Sequence, residues 1–454
     1  MTDPNSIDVL GAGLCGSLLS VMLARRKLAV TLWERQPDPR RKSLAGGRSI
    51  NLALASRGIR ALQHAGIFEP VRKLLVPMRG RMIHHPDGAQ ELQPYGSKAG
   101  EEIYSVSRAE LNRILLDCAE QQYGVQIRFD HAAQAFAPDT GKLTMRDTTS
   151  EQSVVLEDRP IIAADGAGSA VRQAYGKDSR IAPSEALLEH GYKELTLPAA
   201  ADGSFQLAPD ALHIWPRGGF MMIALPNPGG DFTLTLFLAR EGETSFAGLD
   251  DAAAVEAFFA KEFADLVPLL PELTEEFARN PVGILGTVRC KAWHDGKVLL
   301  IGDAAHAIVP FHGQGMNLAF EDCVLIDQLL EQHGTDWRSV FSHFEQGQLA
   351  NANAIADMAL DNYVEMRDRV RDPDFVLHKK LAFELERRLP DRFIPRYSMV
   401  MFHPEIPYAV AQQRGAAQQA LLKELARGAT TIDDIDIDHA VQQVTAKLPA
   451  LPVS

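Results

Sequence analysis

A glycine cluster at a strand-to-helix junction constrains this chain more than any other feature. Gly11-Ala12-Gly13-Leu14-Cys15-Gly16 follows a short apolar run, 7–10, and opens a helical pattern over 14–27. The three glycines permit a tight turn, close approach of backbone to a pyrophosphate, and close packing of helix on strand. A diphosphate there meets the free N–H groups and the positive end of the helix that starts at Leu14. A second apolar run, 28–33, ends at Glu34, whose carboxylate can accept from a ribose hydroxyl. Arg25, Arg26 and Lys27 fall in the last helical turn, where cations favour the dipole. The pattern is a βαβ unit that binds a dinucleotide. Asp8 departs from an all-apolar first strand.

Two more glycine segments follow at long range. Ala164-Asp165-Gly166-Ala167-Gly168-Ser169-Ala170-Val171-Arg172 reads as a turn with Ser169 capping a helix. Leu300-Ile301-Gly302-Asp303-Ala304-Ala305-His306 leads into Gly313-Gln314-Gly315-Met316-Asn317. An aspartate at the end of an apolar strand, Asp303, can hydrogen-bond the ribityl chain of a flavin. A helix opening at 315 can aim its N-terminus at the pyrimidine edge, which gains negative charge on reduction. These features favour FAD over NAD.

The remaining pattern is α/β. Helical runs are expected at 56–65, 108–122, 315–333, 337–370, 375–388 and 409–427, with the third run closed at Gly334. Residues 36–47 read as a loop rich in Pro, Arg and Gly. Strand-like runs occur at 192–197, 212–215, 220–225 and 232–238, and a Pro86-Asp87-Gly88 turn separates short strands within 82–106. The expected fold is a Rossmann-like FAD-binding domain, an antiparallel β-sheet substrate domain and a C-terminal helical segment. The FAD-binding domain takes residues 1–75, 107–185 and 286–335. The substrate domain takes 76–106 and 186–285. Residues 336–454 form a helical region capping the substrate pocket.

Composition excludes several functions. A net charge of -13 argues against a nucleic-acid partner, whose affinity rests on clustered Lys and Arg. The N-terminus lacks the basic and apolar segments of a secretion signal, and no apolar run of about 18 residues occurs, so no membrane attachment is expected. Cys15, Cys118, Cys290 and Cys323 have no zinc-ligand spacing and suggest a reducing, cytoplasmic location. His84-His85 and the pair His306 and His312 lack metal-site spacing, and no Gly-x-Ser-x-Gly nucleophile motif is present. No metal is expected.

Three glycine segments in this order resemble the FAD-dependent aromatic hydroxylases with a single dinucleotide-binding domain. Within them the chain is similar to the kynurenine 3-monooxygenases over nearly its whole length. The carrying segments are 47–54 (GRSINLAL), 78–82 (MRGRM), 92–96 (LQPYG), 108–112 (RAELN), 309–317 (VPFHGQGMN), 362–366 (NYVEM) and 394–399 (IPRYSM). The resemblance implies tightly but non-covalently bound FAD, NADPH as a transient co-substrate without a domain of its own, and L-kynurenine and O2 as substrates. It implies hydroxylation ortho to the aromatic amine by way of a flavin C4a-hydroperoxide, giving 3-hydroxy-L-kynurenine. It makes Arg81 and Tyr95 the grips on the substrate carboxylate, with Asn362 and Tyr397 completing the polar end. Glu365, Met366, Phe237, Phe311 and His312 join the substrate set. Gly11, Gly13, Gly16, Glu34, Arg35, Ala53, Arg108, Asp303, Gly315, Met316 and Asn317 form the cofactor set. The flavin carries the chemistry, so no side chain is assigned as catalytic.

On their own residues these roles have plainer alternatives. Arg81 fits a surface ion pair, Tyr95 a turn aromatic and Asn362 a solvated helix position. A guanidinium fork does match a carboxylate, and Asn362, Glu365 and Met366 share a helix face at i, i+3 and i+4. Eukaryotic members carry a C-terminal membrane anchor; the tail here holds Asp433, Asp434, Asp436 and Asp438 and no long apolar run, as in a soluble bacterial-type member. The C-terminal helices also offer a surface for a homodimer. The same motifs leave open a hydroxylase of phenolic acids, a flavoprotein of this fold that does not oxygenate, and a flavin-binding sensor.

Overall fold

A computed structural model describes residues 5–41, 51–98, 100–369 and 372–451. Residues 42–47 of the 36–47 loop and the first four residues of the 47–54 segment lie outside the described residues. The chain forms two compact units, each drawn from three stretches of sequence. One comprises Met1–Leu75, Val106–Leu187 and Gly286–Ala356; the other comprises Val76–Ser105, Leu188–Leu285 and Asp357–Ser454.

The first unit is built on a six-stranded sheet. Its order is His294–Asp295, Val298–Leu300, Ile161–Ala163, Ser6–Leu10, Ala29–Trp33, Gln126–Arg128. All neighbours are parallel except the first pair. Ser6–Leu10 is buried along its whole length, as a central parallel strand covered on both faces requires. Asp8 is tolerated there because Trp33 Nε1 donates to its Oδ1 at 2.8 Å. Burial still pushes the Asp8 carboxyl upward against that bond. The helices Leu14–Arg25, Ser56–Ala65 and Gly315–His333 belong to this unit. The helix from Arg108 is α-helical to Asp117 and continues as a π turn over Cys118–Gln122. A small antiparallel sheet, His131–Ala137, Lys142–Asp147 and Ser153–Leu156, was not anticipated from sequence.

The second unit holds most of a seven-stranded sheet. Its strands run Gly283–Arg289, Ser184–Leu197, Phe232–Ala239, Met221–Pro226, Ala211–Pro216, Gly80–His84, Gln90–Pro94. It was expected to be antiparallel, and it is so at the pairs around Met221–Pro226. Gly80–His84, however, runs parallel to Ala211–Pro216. The two are joined by more than 100 residues rather than by a hairpin, so no turn imposes an antiparallel sense. One face of the sheet buries Trp215, Met222, Leu234, Leu236 and Leu238 against Phe259, Phe263 and Phe277. These phenylalanines come from helices Ala252–Glu262 and Leu273–Arg279 and the loop between them. A second core, around Leu381, Leu385, Phe393, Leu422 and Val444, joins helices Pro373–Arg388, Tyr408–Leu425 and Ile437–Lys447. The long helix is α-helical over Trp337–Val364 and then becomes a π turn over Glu365–Arg369. Among the described residues, no helix is long and apolar enough to cross a membrane.

Candidate active site: a flavin cradle and a carboxylate pocket

Hydrogen bonds and close packing bring the three glycine segments together at one end of the six-stranded sheet. Ala164 N donates to Leu10 O at 2.8 Å, which joins the first segment to the second. Arg172, buried, donates to Ala304 O at 3.0 Å and to Ala167 O, which joins the second to the third. Gly302 packs on Cys15, so that a Cβ on Gly302 would lie 3.0 Å from the Cys15 sulfur. Cys15 and Cys323, remote in sequence, meet as free thiols at 3.9 Å.

The geometry of the first turn fits a diphosphate. Gly11 has φ +89°, and a Cβ there would collide with Ala164 O. A Cβ on Gly16 would collide with Gly11 O. Gly13 differs: a Cβ there would meet no protein atom within 4 Å. Gly13 is also the N-cap of Leu14–Arg25, with no side chain capping the helix. The cradle thus has an open side where the helix presents unsatisfied N–H groups, as anion binding requires. Glu34 reaches into the same turn; its Oε2 accepts from Ala12 N at 2.8 Å and its Oε1 from Gln36 N at 2.8 Å. Asn112 Nδ2 donates to Ala12 O at 3.0 Å and fixes the turn from the Arg108–Asp117 helix. Arg35 and Arg108 are exposed.

The third segment divides its labour. Asp303 is exposed at the start of a short helix, Asp303–His306. Gly315 and Met316 form the first turn of Gly315–His333, which also lacks a side-chain cap. Asn317 is buried, and its amide is committed to backbone. Oδ1 accepts from Ala55 N at 2.9 Å and Gly58 N at 3.2 Å, while Nδ2 donates to Ala53 O at 2.9 Å and Gly313 O at 2.8 Å. It therefore positions the strand that carries Ala53 against the turn at Gly313. Phe311 and His312 are buried in the preceding turn, Pro310–His312. In Asp165-Gly166, the Asp165 Oδ2 accepts from Ala170 N at 2.9 Å, and Ser169 caps the next helix.

Asp322 was missed by sequence reasoning. It is fully buried, and its Oδ2 accepts from Gly302 N at 3.2 Å and pairs with His306 Nε2 at 2.7 Å. Its Oδ1 accepts from Gln348 at 3.1 Å. Burial works against the His306 cation, but Asp322 outweighs it and raises the imidazole above its usual range. Asp322→Ala is expected to cost about 3–5 kcal/mol of stability by stranding buried partners, read as a lower midpoint in thermal or urea unfolding. A midpoint equal to wild type would show that the pair is not structural.

The second unit gathers the residues around Arg81. Arg81 lies on Gly80–His84, opposite Gln93 of the neighbouring strand. Gly80 permits this pairing, because a Cβ there would sit 2.5 Å from Gln93 O. Only 6% of Arg81 is exposed. Its guanidinium carbon lies 4.8 Å from the ring centre of Tyr397 and 5.8 Å from that of Tyr95. The two tyrosine rings stack at 5.4 Å with an interplanar angle of 11°. Arg81 Nη1 donates to Glu365 Oε1 at 3.2 Å. Burial opposes the Arg81 charge, yet Tyr397, Glu365 and Tyr95 more than offset it and raise its pKa. Burial pushes the Tyr397 phenol up to about 12, so it remains a donor.

Asn362 and Met366 are buried one helical turn apart, with Asn362 Nδ2 donating to Met366 Sδ at 3.3 Å. Phe237 lies on the same sheet face as Arg81, opposite the phenylalanine-rich core. Strand register carries this face from Arg81 through Leu212, Ile214 and Ile223 to Thr235, and along that strand to Phe237. In the same unit, Glu101, Glu386 and His403 gather potential metal ligands. Lys98 Nζ stands 2.8 Å from Glu386 and already supplies the cation.

Comparison with known proteins decides the family. The FAD binding domain family matches residues 5–343. A kynurenine 3-monooxygenase of Myxococcus xanthus is 46% identical over 98% of this chain and 96% of its own length. That of Stenotrophomonas maltophilia is 46% identical over 98% of both. The chain belongs to the kynurenine 3-monooxygenase family. It is accordingly a flavoprotein monooxygenase with FAD as cofactor. Solved structures agree on the fold. A tetrameric 2-methyl-3-hydroxypyridine-5-carboxylic acid oxygenase superposes with TM-score 0.64 at 21% identity, over 81% of this chain and 94% of the other. PqsL of Pseudomonas aeruginosa, in complex with 2-aminobenzoylacetate, gives 0.65 at 19% identity, over 80% and 97%.

Proposed function

We propose that this kynurenine 3-monooxygenase family member hydroxylates L-kynurenine ortho to its aromatic amine, using NADPH and O2, in the cytoplasm. The observation that carries the substrate assignment is the buried Arg81 guanidinium bracketed by Tyr95 and Tyr397. Glu365 meets one corner of that guanidinium, Nη1, at 3.2 Å, and a planar fork this far from water suits an amino-acid carboxylate as well. The two phenols add donors and apolar walls. Asn362 and Tyr397 complete the polar end, and Phe237 and Met366 supply apolar surface for the ring.

FAD, when bound, supplies the electron transfer and the activation of oxygen. Gly11, Gly13, Gly16 and the helix from Leu14 hold its diphosphate, Glu34 its ribose and Asp303 its ribityl chain. The first turn of Gly315–His333 lends positive potential to its pyrimidine edge. The substrate amine already enriches the ring, so the protein needs no base to ionise it. Its task is to orient the ring and keep water out.

The test is NADPH oxidation by the FAD-loaded enzyme with and without L-kynurenine, with products identified by mass. Strong stimulation and a product heavier by one oxygen are expected. Stimulation by phenolic acids alone, or peroxide as the sole oxygen product, would refute the assignment.

A further inference from the structure

The flavin cradle stands at the carboxyl ends of the parallel strands, where open α/β sheets take their ligands. At the opposite ends of the same strands lies a cavity of about 780 Å³ that this rule does not account for. Its lining includes Ser6, which opens Ser6–Leu10, and Pro160 and Lys297, which directly precede Ile161–Ala163 and Val298–Leu300. Every lining residue belongs to the first unit. The volume falls within the range of small-molecule sites, about 300–1,000 Å³.

The lining is basic, in a chain whose net charge is -13. Arg159, Arg180, Lys297 and Arg338 are set against two carboxylates, Asp158 and Asp295. Arg180 is paired with Glu345 at 2.9 Å, and Lys297 approaches Asp158 at 3.9 Å. Among the described residues, Arg159 and Arg338 make no hydrogen bond and no ion pair within 4.0 Å, with these carboxylates or any other. Asp8 feels the charge of Arg159, but its Oδ1 already accepts from Trp33. Two more lining residues hold donors without acceptors. Arg180 Nη2 stands 3.2 Å from His294 Nε2. A guanidinium can only donate, so Nε2 accepts and the neutral ring carries its proton on Nδ1. That Nδ1 and the Trp337 Nε1 are both buried and have no acceptor among the described residues. A buried donor left unmet is destabilising, and folded proteins keep few of them.

We propose that this cavity is a second ligand site, separate from the flavin cradle and from Arg81, and that it takes a multivalent oxyanion built of phosphate or carboxylate groups. The planar forks of Arg159 and Arg338 match either group. The His294 and Trp337 N–H groups supply neutral donors to the remaining oxygens. Two unpaired guanidiniums and two unmet donors on one cavity wall call for a ligand rich in acceptors and negative charge. The inference stands apart from the substrate assignment, since no residue near Arg81 takes part in it.

The experiment is calorimetric titration of the FAD-loaded enzyme, its cradle occupied, with inorganic pyrophosphate and separately with citrate. Saturable one-site binding of at least one probe is expected. Pyrophosphate alone would assign a phosphate ligand, and citrate alone a carboxylate ligand. Arg159→Gln and Arg338→Gln should each weaken the probe about tenfold, the loss of one charge-assisted hydrogen bond, and the double variant should give no measurable heat. Trp337→Phe keeps an aromatic ring but removes the N–H, and should weaken binding about threefold. Arg338 is exposed, so Arg338→Gln leaves the fold intact and carries the test even if another variant does not fold. Lys177→Gln, an exposed cation outside the lining, should bind the probe as wild type does. Arg81→Ala should do the same, which separates this cavity from the substrate residues. No heat from either probe in wild type, or unchanged affinity in the arginine double variant, would overturn the site. Equal losses in Lys177→Gln and Arg338→Gln would overturn it too, because the probe would then be sensing overall charge.

Discussion

Arg81→Ala is expected to raise the KM for L-kynurenine about 100-fold while FAD content stays at the wild-type level. Truncating one partner of a desolvated charge pair costs about 2–5 kcal/mol, and each tenfold in affinity is about 1.4 kcal/mol. Arg81 is nearly inaccessible to water and lies between two stacked phenols, which places it toward the desolvated end of that range. The cradle residues Gly11, Gly13, Gly16, Glu34 and Asp303 all belong to the other unit, so cofactor loading should not follow. Steady-state kinetics together with the flavin absorbance per protein checks both halves. A KM within twofold of wild type would remove Arg81 from substrate binding, and a loss of flavin would mean that its role is structural.

What could be read from the chain follows how local each cause is. The helices Ser56–Ala65 and Gly315–His333 have the bounds expected from periodicity and their flanking glycines, because caps and amphipathic spacing act within a few residues. The antiparallel hairpins around Asn227 are equally local. The parallel pairing of Gly80–His84 with Ala211–Pro216 is not, and no short pattern announces it. The small sheet from His131 to Leu156 escaped because His131–Ala137 has no fully buried residue and Ser153–Leu156 only one, so neither strand shows a clean alternation of apolar residues. Asp8 was visible as an anomaly, but its partner Trp33 came only with the fold. In the pocket, Arg81, Tyr95 and Tyr397 were named through resemblance; nothing in their spacing brings residue 81 to residue 397. Asp322 carried no sequence signal. It is an ordinary charged helix residue until tertiary packing buries it.

Gly16→Ala is expected to yield protein with less than about a tenth of the wild-type flavin, and Gly13→Ala provides the comparison that explains why. The Gly16 Cβ would collide with the backbone oxygen of Gly11 and lie 3.4 Å from the Ala164 Cβ. Neither neighbour is the end of a flexible side chain. Gly11 cannot retreat, since it is held at φ +89° with Ala164 O where its own Cβ would stand. The helix start must move instead, carrying away the N–H groups that would face the diphosphate. Overpacking of this kind costs about 1–3 kcal/mol or more, so the flavin-free form of Gly16→Ala should also melt earlier than flavin-free wild type. Gly13→Ala meets no protein atom and keeps an extended N-cap conformation, φ -73° and ψ -176°. Its flavin-free midpoint should therefore stay within about 1 kcal/mol of wild type, the cost of an alanine N-cap, while its added methyl fills space on the ligand side. Saturating FAD raises the midpoint of wild type by mass action and should do so less for Gly13→Ala and hardly at all for Gly16→Ala. If both variants retained flavin and gained the full shift, the glycine turn would not be the diphosphate cradle, and FAD would have to be held elsewhere in the first unit.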